Sequence, residues 1–190
     1  MKNIVLFGGN GYIGQEVVRQ WLEKDSNAEF FIVSRKGSCD ISNKRVHNIS
    51  ADLTIKNPVI DGLPESIDCI VDFIGRSEKE IIQLKKINEV PVNNMISLAE
   101  KYKVPSLAFI GGILGPKSFV NTKADLIRKL MSTGKKVSYV EPTVVYGGGR
   151  NDAIAKMVPI FQFLGIFNKG MKPVKVDKVA SELIKKITSK

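Results

Sequence analysis

The feature that most constrains this chain is a strand-like run at residues 3–7, NIVLF, that passes without a linker into Gly8-Gly9-Asn10-Gly11-Tyr12-Ile13-Gly14. A helical pattern follows at once, with Ile13, Val17 and Trp21 spaced i, i+4, i+8 on one apolar face of a helix over Tyr12–Lys24. A strand-to-helix turn this tight asks for a residue without Cβ at Gly8. It asks for backbone open to close approach at Gly11, and for close helix–strand packing at Gly14. Glycine spacing alone is a weak signal; a strand before it and an amphipathic helix after it make it specific. The opening helix then points unpaired N–H groups and a partial positive charge at any anion lodged there, which suits a pyrophosphate.

The rest of the chain repeats the alternation. Further strands are expected at Phe30–Ser34, Val46–Ile49, Cys69–Ile74, Ser106–Ile110 and Val137–Val140, nearly all apolar, as strands covered on both faces must be. Helices are expected over Glu78–Lys103, with a break or restart near Pro91, and over Phe119–Ser132 and Asp177–Thr188. Residues 35–45 carry no helical pattern. This order gives an α/β doubly wound parallel sheet, and 190 residues suit one domain over the whole chain. Cys39 and Cys69 form neither a disulfide framework nor a metal-binding pair, so a reducing compartment with plain thiols and no metal is expected. The N-terminal apolar run is too short for a signal-peptide core and no window approaches a membrane span, so a soluble, cytoplasmic chain is expected.

The second strand chooses among dinucleotides. An NAD site places a carboxylate about 20 residues beyond the glycines to bond the ribose 2′-hydroxyl. Here the strand ends Val33-Ser34-Arg35-Lys36, a hydroxyl and two cations suited to a 2′-phosphate. NADP(H) is the preferred cofactor, with NAD(H) the alternative. The net charge of +10, from 29 Lys+Arg against 19 Asp+Glu, agrees with a phosphorylated ligand. Nucleic acid is disfavoured because no aromatic–basic RNA motif or helix-turn-helix pattern accompanies the charge.

Five stretches, in order, resemble the extended and atypical short-chain dehydrogenase/reductase superfamily, in its NAD-dependent epimerase/dehydratase group. They are the GGNGYIG turn, Ala51-Asp52-Leu53, Asn88 ahead of Asn94-Met95-Ile96, Glu141-Pro142-Thr143-Val144-Val145-Tyr146-Gly147, and Pro173–Ala180, PVKVDKVA. The resemblance implies a Rossmann-like fold with Gly8, Gly11, Tyr12, Ile13 and Gly14 at the pyrophosphate. Ser34, Arg35 and Lys36 would meet the adenosine ribose, and Asp52 with Leu53 the adenine. Phe73, Ile74 and Gly75 would line the cofactor's ribose and nicotinamide with backbone, and Asn88, Pro142 and Val145 would also bind the cofactor.

The departures concern catalysis. The family's YxxxK pair stacks a proton-exchanging tyrosine and a ribose-binding lysine on one helical face. In this chain the segment is Phe119-Val120-Asn121-Thr122-Lys123, so Lys123 is present and the tyrosine is phenylalanine. The family's serine falls at Gly111-Gly112-Ile113. Lys123 remains a catalytic candidate for orienting the ribose, and Tyr146 is a substitute acid near the strand ends. His47 is expected to be partly buried and structural, Asp72 structural within a buried strand, and Trp21 core. The apolar segment 153–167, AIAKMVPIFQFLGIF, is expected to form a lid over the nicotinamide end in place of a substrate domain. With the lysines at 169, 172, 175 and 178 it could instead make peripheral contact with an anionic membrane surface, over residues 153–178. That second reading draws on a likeness to atypical relatives linked to quinone biosynthesis and to a nucleotide-binding subunit of respiratory complex I. Two functions follow: an NADP(H)-dependent oxidoreductase acting on a small hydrophobic molecule without a tyrosine–lysine relay, or a non-catalytic nucleotide-holding sensor or assembly factor.

Overall fold

A computed structural model describes residues 2–149 and 172–189. The glycine turn joins β1 (Lys2–Phe7) to α1 (Tyr12–Lys24). Then come β2 (Ala28–Ser34), β3 (Val46–Ser50), β4 (Cys69–Asp72), α2 (Ile81–Lys101), β5 (Ser106–Ile110), α3 (Lys117–Met131) and β6 (Lys136–Val140). A two-residue strand β7 (Val145–Tyr146), its partner β8 (Val174–Lys175) and α4 (Val176–Thr188) complete the described chain. The six long strands form one parallel sheet in the order β3-β2-β1-β4-β5-β6, with Ile4 registered against Phe30 on one side and Cys69 on the other. The chain reverses its direction of travel across the sheet between β1 and β4. Ligands in doubly wound sheets bind at that switch, beyond the carboxyl ends of the strands.

Alternation along each strand builds two cores. Ile4 and Leu6 face α1 and α4, where Val17, Val18, Trp21, Leu183 and Ile184 are buried. Val5 and Phe7 face α2 and α3, where Val92, Met95, Leu126 and Leu130 are buried. Trp21 is core, as its position on the helix face requires, and packs edge-on to Phe30 at a centroid distance of 5.7 Å. Burying side chains of this size contributes about 1.5–3 kcal/mol each. The glycine turn survives in this crowd because Gly8, Gly9 and Gly14 carry no Cβ. One added at Gly14 would lie 2.6 Å from the Gly9 Cα, so α1 rests directly on the turn beneath it.

Three expectations, those for Pro91, the end of β4 and His47, need correction. α2 runs unbroken through Pro91, because one missing N–H removes one helical bond while the buried face of Asn88, Pro91, Val92 and Met95 stays seated against the rest of the protein. β4 ends at Asp72 rather than Ile74, since the Asp72 carboxylate captures the Ile74 N–H at 2.8 Å and turns the chain out of the sheet. Tyr146 lies in a short strand that pairs in parallel with Val174–Lys175, a pairing too short for alternation to reveal. His47 is 43% exposed, because β3 is the sheet edge; its ring stacks on Phe31 and its Nε2 meets Glu29 Oε2 at 2.7 Å. The apolar segment 153–167 and most of the 153–178 stretch lie outside the described residues. No helix among the described residues is long and apolar enough to cross a membrane.

Candidate functional site

At the switch point the carboxyl ends of β1, β2, β3 and β4 open into a cleft of about 480 Å³. Its floor begins at Gly8, which takes a φ of +70°, and a Cβ there would approach Ile74 Cγ1 to 2.9 Å. Gly11 caps α1 with no side-chain bond and no acidic residue in the first turn, so the helix dipole faces the cleft uncompensated. One end of the cleft is formed by Ser34, Arg35 and Lys36. The Ser34 hydroxyl is buried and has no hydrogen-bond partner among the described residues, although Arg35 and Lys36 beside it are exposed. A buried orphan hydroxyl costs free energy unless something bonds it, and this one borders the cleft.

Asp52 and Leu53 follow β3 and also border the cleft. Asp52 Oδ1 accepts from the Thr54 hydroxyl at 2.7 Å and the Thr54 N–H at 2.9 Å. Those bonds hold its carboxyl below the usual range, helped by the charges of Arg35 and Lys86. The loop that carries Asp52 is pinned by Asn94, whose Nδ2 donates to Leu53 O and Ile55 O while its Oδ1 accepts from the Asn57 N–H.

The exit of β4 forms the opposite part of the floor, with Ile74, Gly75 and Arg76 at the surface of the cleft. Behind them lies a buried polar cluster. Lys123 Nζ donates to Ile110 O at 3.1 Å and Ile74 O at 3.4 Å, and sits 4.4 Å from the centroid of Phe109 and 5.8 Å from that of Phe119. Asn88 donates to Arg76 O and Leu84 O, leaving its Oδ1 without a partner among the described residues. Gly75, at φ +145°, fits between the two: a Cβ would lie 2.5 Å from Lys123 Nζ and 2.6 Å from Asn88 Oδ1. Burial pushes the Asp72 carboxyl up to about 7 against the pull of Lys123. Burial likewise brings Lys123 down to about 8, against Asp72.

The structure thus brings Gly8, Gly11, Ser34, Arg35, Lys36 and Asp52 together with Leu53, Ile74 and Gly75 around one cleft. Asn88 and Lys123 lie immediately behind its floor rather than in its lining. Tyr12, Ile13 and Gly14 begin α1, with the Tyr12 hydroxyl bonded to Gly147 O at 2.8 Å, and Phe73, Pro142, Val145 and Tyr146 stand outside the lining. Sequence reasoning passes over Asn10, Thr54, Arg76, Gln83 and Lys86 in the lining, and treats Asp72 apart from Lys123. Gln83 and Lys86 bear an i, i+3 relation on α2 that could have marked an exposed polar face bordering the cleft. Phe119 takes the place of a proton-exchanging group, with its ring beside Gly112 and Gly115. No cluster of His, Cys, Asp and Glu suited to a metal occurs among the described residues, and burial pushes the Cys69 thiol up to about 12.

No curated protein matches the chain. Solved structures do. UDP-N-acetylglucosamine 4-epimerase from Methanobrevibacter ruminantium M1, in complex with UDP-N-acetylmuramic acid, aligns with a TM-score of 0.72 at 16% identity over 99% of this chain and 73% of its own. The complex of UDP-glucose 4-epimerase from Thermus thermophilus with NAD gives 0.71 at 16% identity, over 99% and 75%. The PhqB reductase domain from Penicillium fellutanum gives 0.72 at 16% identity, over 100% and 65%. At such identities the likeness shows a shared fold. The sequence profile of the NAD dependent epimerase/dehydratase family matches residues 4–151, which include the glycine turn, the Ser34–Lys36 corner, Asp52 and the Asp72–Lys123 cluster, and the chain belongs to that family.

Proposed function

We propose that the chain binds a pyridine dinucleotide, NADP(H) in preference to NAD(H), and moves hydride between it and a small hydrophobic molecule without a tyrosine relay. The observation that carries this is the Ser34–Lys36 corner: an orphaned buried hydroxyl and two cations at one end of a cleft whose other wall is a glycine turn. The residues fit the group. Gly8 and Gly11 leave room for a pyrophosphate against backbone N–H groups, and Arg35 offers a fork that matches a 2′-phosphate. Asp52, kept ionised, is placed to accept from an adenine amine. The family and the NAD complex of a structural neighbour support the dinucleotide; the choice of NADP(H) rests on Arg35, Lys36 and Ser34.

When bound, the nicotinamide supplies the hydride donor or acceptor. The chain contributes position and exclusion of water. Lys123, pinned to Ile74 O and Ile110 O, fixes the path of Ile74 and Gly75 under the cofactor and holds a positive charge behind the ribose position. Phe119 exchanges no proton, so the substrate proton is drawn from water or from an already acidic position.

Phe119 and the sealing of Lys123 behind Gly75 also favour a second reading, in which the nucleotide is held without turnover. Loss of NADPH absorbance on adding a hydrophobic quinone or an α,β-unsaturated ketone, with the purified full chain, separates the two. Turnover that falls in Lys123→Met supports the oxidoreductase; tight NADPH binding with no oxidation of NADPH by either probe supports the holder. A cytoplasmic setting with peripheral membrane contact through residues 153–178 belongs to the same proposal. Salt-sensitive co-sedimentation with anionic vesicles would support the contact, and its absence would remove it.

A further inference from the structure

Lys86 stands in the second turn of α2 and, with Gln83 and Ile87, lines the cleft from an element unrelated to the end of β2. Arg35 lines the same cleft from the end of β2. Both charges act on a single carboxylate, that of Asp52, which Thr54 already holds by two hydrogen bonds. An ammonium and a guanidinium rooted on different elements therefore border the same cleft. Arg76, the remaining cation of the lining beside Lys36, is engaged with Glu78. Asp52 offsets one charge of the Arg35, Lys36 and Lys86 set, and the surplus favours a compact dianion over a neutral sugar hydroxyl.

Resting on the NADP(H) reading, we propose that Lys86 is a second reader of the 2′-phosphate, so that recognition of the phosphorylated ribose is shared between α2 and the end of β2. Lys86 acts as a movable point charge, whereas Arg35 supplies a planar fork, and the two contacts meet on one phosphate. Their effects are then coupled rather than additive.

Calorimetric titration of the full chain with 2′,5′-ADP and with 5′-AMP tests this, using wild type, K86Q, K86R, R35Q and the double variant K86Q/R35Q. Lys86 is exposed, so its substitution leaves the core intact. K86Q is expected to weaken 2′,5′-ADP about tenfold and 5′-AMP less than about twofold, as loss of one charge-assisted bond to phosphate dictates. K86R is expected to retain most of the affinity, and the double variant to lose less than the product of the single losses. An equal loss for both nucleotides in K86Q, or no loss for either, overturns the proposal. If R35Q loses its preference for 2′,5′-ADP while K86Q keeps it, the NADP(H) reading stands and only the role of Lys86 falls. A wild type that does not distinguish the two nucleotides removes both.

Discussion

Asp72 and Lys123 show what a single buried side chain can cost and what it can hold. Asp72 Oδ1 bonds the Ile74 N–H, Lys123 Nζ bonds the Ile74 carbonyl, and Asp72 Oδ2 has no hydrogen-bond partner among the described residues. The two side chains thus grip one residue of the cleft floor from opposite sides. Folding raises the Asp72 pKa from 3.8 to about 7, so the folded chain holds more protons across that window. The stability that this carboxyl contributes is present below pH 3.8 and lost as pH rises towards 7. Lys123 is lowered from 10.5 to about 8, so its contribution is present above 10.5 and lost as pH falls through 8. Urea denaturation of Asp72→Asn against wild type should therefore show the wild type losing ground steadily between pH 3.8 and about 7; a constant difference across that range would show that the carboxyl does not titrate there. The sequence puts Asp72 inside a buried strand and requires it to be hydrogen-bonded. It does not show that Lys123, 51 positions later (123 − 72), is its counter-charge, because that meeting depends on how α3 packs on the sheet.

Elements show the same division between local pattern and tertiary placement. Every long strand and helix announces itself in the sequence: the inner strands leave apolar runs, the edge strands β3 and β6 keep apolar residues between polar ones, and the helices carry apolar faces at helical spacing. The points that local pattern misses are those where tertiary contact overrides a local rule. Pro91 is tolerated inside α2 because the helix is anchored on either side of it, and β7 with β8 is a two-residue pairing that no periodicity encodes. Asn94 stands out in the sequence only as part of a family-like stretch, yet it fastens α2 to the loop bearing Asp52 through three hydrogen bonds. Asn94→Ala leaves the Leu53 and Ile55 carbonyls and the Asn57 N–H without that partner and should lower stability by about 1–3 kcal/mol. Hydrogen exchange should show faster exchange at Asn57, whose amide that side chain protects; unchanged exchange there would show that the loop is held by other means.

For the whole molecule, the cleft joins the elements that the switch point separates: β1 and α1 on one side, β2 and β3 beyond them, β4 and α2 on the other. A ligand bound there ties these elements together in the folded state alone. NADPH at a hundredfold excess over its dissociation constant should therefore add about 2.7 kcal/mol to the unfolding free energy. With a net charge of +10 and several cations at the cleft, that affinity should fall as salt is raised. Thermal unfolding across a series of NADPH and salt concentrations checks both, and a melting temperature indifferent to NADPH would leave the cleft without its assigned ligand. Isothermal titration of the purified chain with NADPH and NADH, repeated on Arg35→Glu, tests the central claim most directly. The expected result is NADPH binding about tenfold or more tighter than NADH, with that preference abolished by the substitution. Equal affinity for the two nucleotides in the wild type, or binding of neither, would contradict it.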